Sequence, residues 1–131
     1  MEPFQLACII DDDPIFVFAA GKQMELRSFA TGTLVYRNGK EAIEGLKQRI
    51  QLEQAFPEVI LLDLNMPVMD GWQFLEALTE ITLPVTPKLY VVSSSINPAD
   101  IERARSFSLV TDFVTKPIAP ELLEEIADGR R

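Results

Sequence analysis

Five short apolar runs recur along the chain, at residues 5–10, Thr33–Tyr36, Val59–Leu62, Leu89–Val92 and Asp112–Val114. They stay apolar on successive positions instead of alternating, which is the pattern of strands buried on both faces. A helix-compatible segment follows each one. Asp13-Pro14 marks the first helix start: proline is tolerated in a first turn because its missing N–H has no partner there, and Asp13 is a plausible cap. A second helix is expected over about residues 40–50, and a third over about 72–80 after the Asp70-Gly71 turn. Asn97-Pro98 opens a fourth and Pro120 a fifth, with Glu121 near the positive end of the last helix's dipole. Strands alternating with helices predict an α/β, doubly wound domain: a parallel sheet with helices on both faces.

In such a sheet ligands gather at the carboxyl ends of the strands, near the point where strand order reverses. The first strand ends in Asp11-Asp12-Asp13, the third in Asp63, the fourth in Ser93-Ser94-Ser95 and the fifth in Thr115-Lys116. These groups are spread over more than a hundred residues of sequence, yet they map to one edge of the sheet. Carboxylates crowded at one edge repel, which implies either raised pKa values or a cation that offsets the charge. Oxygen-only ligands without His or Cys suit a hard ion, and an open site with few carboxylates suits magnesium, which keeps waters and accepts phosphate oxygens. A lysine and a hydroxyl at the same edge could then hold the remaining oxygens of a phosphoryl group.

Four motifs in order carry a resemblance to the receiver domains of two-component response regulators: Ile9-Ile10-Asp11-Asp12-Asp13-Pro14; Leu61-Leu62-Asp63-Leu64-Asn65-Met66-Pro67 with Met69-Asp70-Gly71; Val91-Val92-Ser93-Ser94; and Phe113-Val114-Thr115-Lys116-Pro117. The resemblance spans nearly the whole chain and implies a flavodoxin-like five-stranded sheet of order 2-1-3-4-5. It further implies that Asp63 is the phosphoacceptor, taking a phosphoryl group from the phosphohistidine of a sensor histidine kinase or a histidine phosphotransfer protein. By the same similarity Asp12, Asp63 and the backbone carbonyl of Asn65 bind Mg2+, Asp11 supports the metal and its waters, and Lys116 pairs with the phosphoryl group. The Lys116-Pro117 bond is expected to be cis. Ser93 and Phe113 match the switch positions, through which a local charge change becomes a new protein-binding surface. Asn65 and Ser95 match positions that tune the lifetime of the phosphorylated state.

Two departures from the family pattern stand out. The stretch between residues 46 and 58 is several residues longer than usual, so the second helix or its loop is expected to be extended. Phe113 lacks the hydroxyl of the tyrosine often found there, so no switch step can depend on a hydrogen bond from that ring.

Simpler readings compete. Asp13 can be a cap and nothing more, and Trp72, Phe74 and Leu75 read as ordinary packing. Glu121, Glu124, Glu125 and Asp128 lie at helical spacing and read as a wet face. Asp11-x-Asp13 also resembles the start of a haloacid-dehalogenase-type phosphatase, with one Asp as nucleophile and the other as general acid. That enzyme needs a further acidic pair after the lysine, where this chain has Pro117 and one acidic helix. A third reading is a receiver fold that serves as an interaction module independent of phosphorylation, which the complete set of acidic, hydroxyl and lysine positions disfavours.

Composition narrows the field. The 131 residues are 47% hydrophobic, enough for one core without disulfides, and the residues after Lys116 suffice for one further helix. A single, stand-alone receiver domain over 1–131 is therefore expected, signalling through another protein. A formal charge of −8 opposes nucleic-acid and membrane-surface binding. The lone Cys8 lies in an apolar run and reads as a buried hydrophobe. The chain has no histidine, which excludes Ser-His-Asp and Cys-His chemistry and any phosphohistidine of its own. No apolar run reaches membrane-spanning length, and a cytoplasmic switch is expected, with at most slow autodephosphorylation and with homodimerisation through the fourth and fifth helices as a hypothesis.

Overall fold

The computed structural model describes residues 3–94 and 97–129. Strands and helices alternate strictly: β1 (Phe4–Ile10), α1 (Pro14–Leu26), β2 (Ala30–Tyr36), α2 (Gly39–Gln51), β3 (Val59–Leu62), α3 (Gly71–Thr79), β4 (Lys88–Ser93), α4 (Pro98–Arg105), β5 (Val110–Thr115) and α5 (Pro120–Ala127). The strands form one sheet in the order β2-β1-β3-β4-β5, with every neighbouring pair parallel. The order reverses between β1 and β3, which opens a crevice there and sends helices to both faces.

The two-residue period of a strand divides the core into two layers. Cys8, Ile10, Ile60, Leu62, Leu89 and Val91 pack under α2, α3 and α4 with Ile43, Leu46, Phe74, Leu75 and Ala104. Ala7, Ile9, Val59, Leu61, Tyr90 and Val92 pack under α1 and α5 with Phe16, Ala20, Met24, Leu122 and Ile126. Cys8 is fully buried, and burial pushes its thiol pKa far above the ordinary range, as expected of a packing residue.

Continuous burial holds only for the three central strands. The edge strand β2 alternates between half-buried and exposed positions and begins at Ala30, three residues before its apolar signal, because Ala30 and Gly32 pair with Phe4 and Leu6. Strand β5 likewise starts early, at Val110, and carries an irregularity: Leu89 pairs with Val110 but Tyr90 with Asp112. Thr111 is the extra residue, and its hydroxyl accepts from Leu89 N at 3.1 Å. Local pattern could not reveal either extension, since each depends on a partner strand.

Side-chain caps set the starts of α1 to α4. Asp13 accepts from Ile15 N (2.9 Å), Asn38 from Glu41 N (2.9 Å) and Asn97 from Ala99 N (3.0 Å). Helix α3 starts at Gly71, one residue earlier than the expected 72, under a reciprocal cap: Asp70 accepts from Gln73 N (2.9 Å) and Gln73 accepts from Asp70 N (3.0 Å). The longer segment after α2 is a helix running to Gln51 and a loop clamped by Arg49, whose Nε donates to Ala55 O at 2.7 Å. No helix among the described residues is long and apolar enough to cross a membrane.

Gly21 lies inside α1 with no atom within 4 Å of where a Cβ would stand. Gly21→Ala is therefore expected to raise stability by about 0.5–1 kcal/mol, read as a higher urea midpoint, because it lowers the backbone entropy lost on folding.

Candidate functional site

The acidic edge of the sheet is built by extension of the strand ladders. Past the end of β1, Asp11 N donates to Tyr36 O (3.0 Å), and past the end of β3, Asp63 N donates to Ile10 O (2.9 Å). Lys116 N, past the end of β5, donates to Ser93 O at 2.8 Å. Asp11 and Asp63 thus stand on adjacent strands at the β1/β3 crevice, with Lys116 tied by its backbone to the end of β4.

Carboxylate oxygens of Asp11, Asp12 and Asp63 all lie within 4.8 Å of one another. Asp11 and Asp63 are buried, while Asp12 faces solvent. Lys116 Nζ sits 2.7 Å from Asp11 Oδ2 and 3.7 Å from Asp63 Oδ1. The shorter contact is a close, largely buried ion pair. Asp11 Oδ1 accepts from Asp13 N at 2.9 Å, which fixes the carboxylate's plane. A recess of about 360 Å3, lined by Asp11, Asp12, Pro14, Val17, Phe18, Val35 and Arg37, opens beside the cluster.

Charge crowding shows in the titration of two groups. Burial first, then the charges of Asp11 and Asp12, push the Asp63 carboxyl up to about 6, against the pull of Lys116 and a hydrogen bond from the Leu64 backbone. Burial alone would lower the Lys116 ammonium, but its contact with Asp11 and the fields of Asp11, Asp63 and Asp13 raise it above the ordinary value. The lysine is therefore charged at any physiological pH. One ammonium among three carboxylates leaves negative charge over, and the cluster's donors among the described residues are hard oxygens. Both features fit a magnesium-like cation.

The loop after β3 holds Asp63 in place by a close approach. A Cβ on Gly71 would stand 2.5 Å from Asp63 O and 2.8 Å from Leu64 Cα, and Gly71 N donates to Leu64 O at 2.9 Å. Only glycine lets α3 begin so close under the Asp63 backbone. Three residues before Gly71, Val68 is exposed and takes a left-handed φ of 70°, a strained conformation for a β-branched residue.

The other expected residues divide clearly. Ser93 is buried at the end of β4, opposite Thr115, and joins the cluster's edge. Asn65 is exposed two residues beyond Asp63, and the Lys116-Pro117 bond is cis as expected. Phe113 is partly buried and packs in the layer under α2, α3 and α4. Asp13 is the α1 cap, its Oδ1 accepting from Ile15 N. Ser95 lies outside the described residues.

Two contributors escaped sequence reasoning. Gly71 was legible as a turn residue but not as the floor under Asp63. Phe16 was not singled out at all, because its ring meets Lys116 across a hundred residues of chain, with Nζ 4.5 Å from the ring centroid.

A lysine-paired acidic cluster thus stands at the strand-order reversal of a five-stranded parallel α/β sheet. The response regulator receiver domain model matches residues 7–128, and the chain belongs to that family. The chain is 29% identical over 119 residues to the protein-glutamate methylesterase/protein-glutamine glutaminase of Methanococcoides burtonii, covering 90% of this chain and 31% of that protein. It is 32% identical over 89 residues to the sensor histidine kinase CheAY of Helicobacter pylori, covering 68% of this chain and 10% of that one. The chain thus spans about a third or less of the length of these curated relatives. A two-component response regulator from Cytophaga hutchinsonii superposes with a TM-score of 0.88 over 97% of this chain and 96% of that chain, at 23% identity, a likeness of fold.

Proposed function

We propose that this receiver domain is a phosphorylation-dependent switch in which Asp63 accepts a phosphoryl group from a partner's phosphohistidine. The observation that carries this reading is the convergence on Asp63: Lys116 Nζ at 3.7 Å, two further carboxylates within 4.8 Å, and Ser93 at the adjoining strand end. An Asp63 carboxylate oxygen attacks phosphorus, the phosphorus–nitrogen bond breaks, and an acyl phosphate forms as the imidazole leaves. Lys116, positively charged and anchored through its backbone to Ser93, receives the negative charge gathering on the transferred group. The Ser93 hydroxyl then turns toward the new phosphoryl oxygens, and Phe113 and the α4–β5–α5 face adjust to it.

Asp11, Asp12 and Asp63, with the backbone carbonyl of Asn65, would hold Mg2+. When bound, the ion supplies charge neutralisation for the acidic cluster and for the phosphoryl oxygens. Asn65 and Ser95 tune how long the acyl phosphate survives. The chain is a switch and not a turnover enzyme; a sensor histidine kinase or a histidine phosphotransfer protein is its donor.

Incubation with a small acyl-phosphate donor and magnesium is expected to add one phosphoryl mass to the intact chain, labile to hydroxylamine. The adduct should vanish in Asp63→Asn and when magnesium is chelated. An adduct that persists in Asp63→Asn would place the acceptor elsewhere, and no adduct from the small donor or from any histidine kinase tried would overturn the reading.

A further inference from the structure

Lys116 is surrounded on three sides, and only two are acidic. Asp11 lies at 2.7 Å and Asp63 at 3.7 Å; the third neighbour is the ring of Phe16, with Nζ 4.5 Å from its centroid. Phe16 is 7% exposed and stands in the first turn of α1. Its position is set by the same short segment that sets Asp11. Asp11 Oδ1 accepts from Asp13 N, Asp13 caps the helix at Ile15 N, and Pro14 begins α1. One rigid turn therefore carries both a carboxylate and an aromatic face to the same ammonium. On the far side, Phe16 packs in the layer that contains Ile118 and Leu122, so it also braces the segment after Lys116.

From this juxtaposition we propose that Phe16 is a positioning residue for the phosphotransfer chemistry, holding the Lys116 ammonium over its ring face and aimed at Asp63. This inference rests on the reading of Asp63 as phosphoacceptor. The physical reason lies in what each neighbour can offer. A cation is attracted to the negative face of an aromatic ring, and more strongly where water is excluded. Lys116 is only 16% exposed, so that attraction is little screened. Asp11 is shared: it belongs to the acidic cluster as well as to the lysine. The ring has no competing partner of its own chemistry in the cluster, bears no charge that would repel an incoming phosphoryl group, and cannot take a proton. It confines a flexible four-carbon side chain, whose rotamers are otherwise costly to order, without adding to the local negative charge.

The test compares Phe16→Leu, which keeps an apolar side chain, with Phe16→Tyr, which keeps the ring face, each alone and combined with Lys116→Met in the full chain. Urea midpoints confirm that each variant is folded. The rate of adduct formation from a small acyl-phosphate donor is expected to fall about three- to tenfold in Phe16→Leu and to stay within about twofold of wild type in Phe16→Tyr. In the Lys116→Met background, Phe16→Leu should add no further loss, because its effect passes through the lysine. An equal loss in both backgrounds, or a Tyr variant as slow as the Leu variant, would reduce Phe16 to a packing residue.

A second readout is independent of phosphorylation. The Lys116 ε-methylene protons should be shifted upfield by the ring in the wild-type NMR spectrum and return toward ordinary values in Phe16→Leu. Unshifted protons in the wild type would overturn the placement. Shifted protons in a chain whose Asp63 never takes a phosphoryl group would uphold the contact and sink the phosphoacceptor reading instead.

Discussion

Asp63→Asn is expected to make the metal-free protein more stable at pH 7, by about 1–2 kcal/mol, even though it destroys the proposed acceptor. Burial and the charges of Asp11 and Asp12 push the Asp63 carboxyl up to about 6, whereas in the unfolded chain it titrates near about 4. The sign follows from proton counting. Between these two values the folded chain holds a proton that the unfolded chain has lost, so stability falls as pH rises through the window and stays low above it. The whole two-unit gap corresponds to about 3 kcal/mol, and the opening to solvent at Asp12 reduces the expected gain to roughly half of that. Urea unfolding in chelator at pH 4 and at pH 7 checks this: wild type and variant should nearly coincide at the lower pH and separate at the higher. A variant no more stable than wild type at pH 7 would mean that the attraction of Lys116 outweighs the carboxylate repulsion. Magnesium should close the gap by stabilising the wild type more, since a cation that binds the folded cluster adds stability by mass action.

Gly71→Ala should cost about 2–3 kcal/mol, although it adds only a methyl group to a helix. The new Cβ would meet Asp63 O at 2.5 Å and Leu64 Cα at 2.8 Å, and both are backbone atoms that cannot rotate aside. Relief requires α3 to move away from the β3–α3 loop, breaking the Gly71 N to Leu64 O bond and displacing the Asp63 carboxylate from Lys116. Urea midpoints read the loss of stability, and adduct formation from a small phosphodonor should slow with it. The contrast with Gly21→Ala is the control: the same chemical change in an open helical position is expected to stabilise. A Gly71→Ala protein within about 0.5 kcal/mol of wild type would show that the loop yields easily and that the close approach constrains nothing.

Much of this molecule was legible in its chain because the signals were local. Five apolar runs, with caps at Asp13 and Asn97 and a first-turn proline at Pro120, are enough to place an alternating parallel α/β fold, since strand burial and helix starts are decided within a few residues. The candidate site was legible for a related reason. In a parallel sheet every strand's carboxyl end faces the same edge, so Asp11, Asp12, Asp63, Ser93 and Lys116 had to converge once the strands were recognised. The dehalogenase alternative is disfavoured by the chain itself, which has Pro117 and one acidic helix where that enzyme needs a further acidic pair.

What lay beyond the chain's local pattern depended on a neighbour. The first residues of β2 and of β5 lie outside the apolar runs and are strands because β1 and β4 pair with them. The function of Gly71 as a floor under Asp63 comes from how closely α3 and the β3 end pack. The Phe16 ring reaches Lys116 only because β1 and β5 deliver α1's first turn and the last strand's end to one place. The sequence by itself determined which elements form and which polar groups share an edge, because hydrophobic period and strand direction are properties of the local chain. Tertiary structure alone decided distances: which carboxylate the lysine touches, which ring it rests on, and how far burial and like charge raise Asp63.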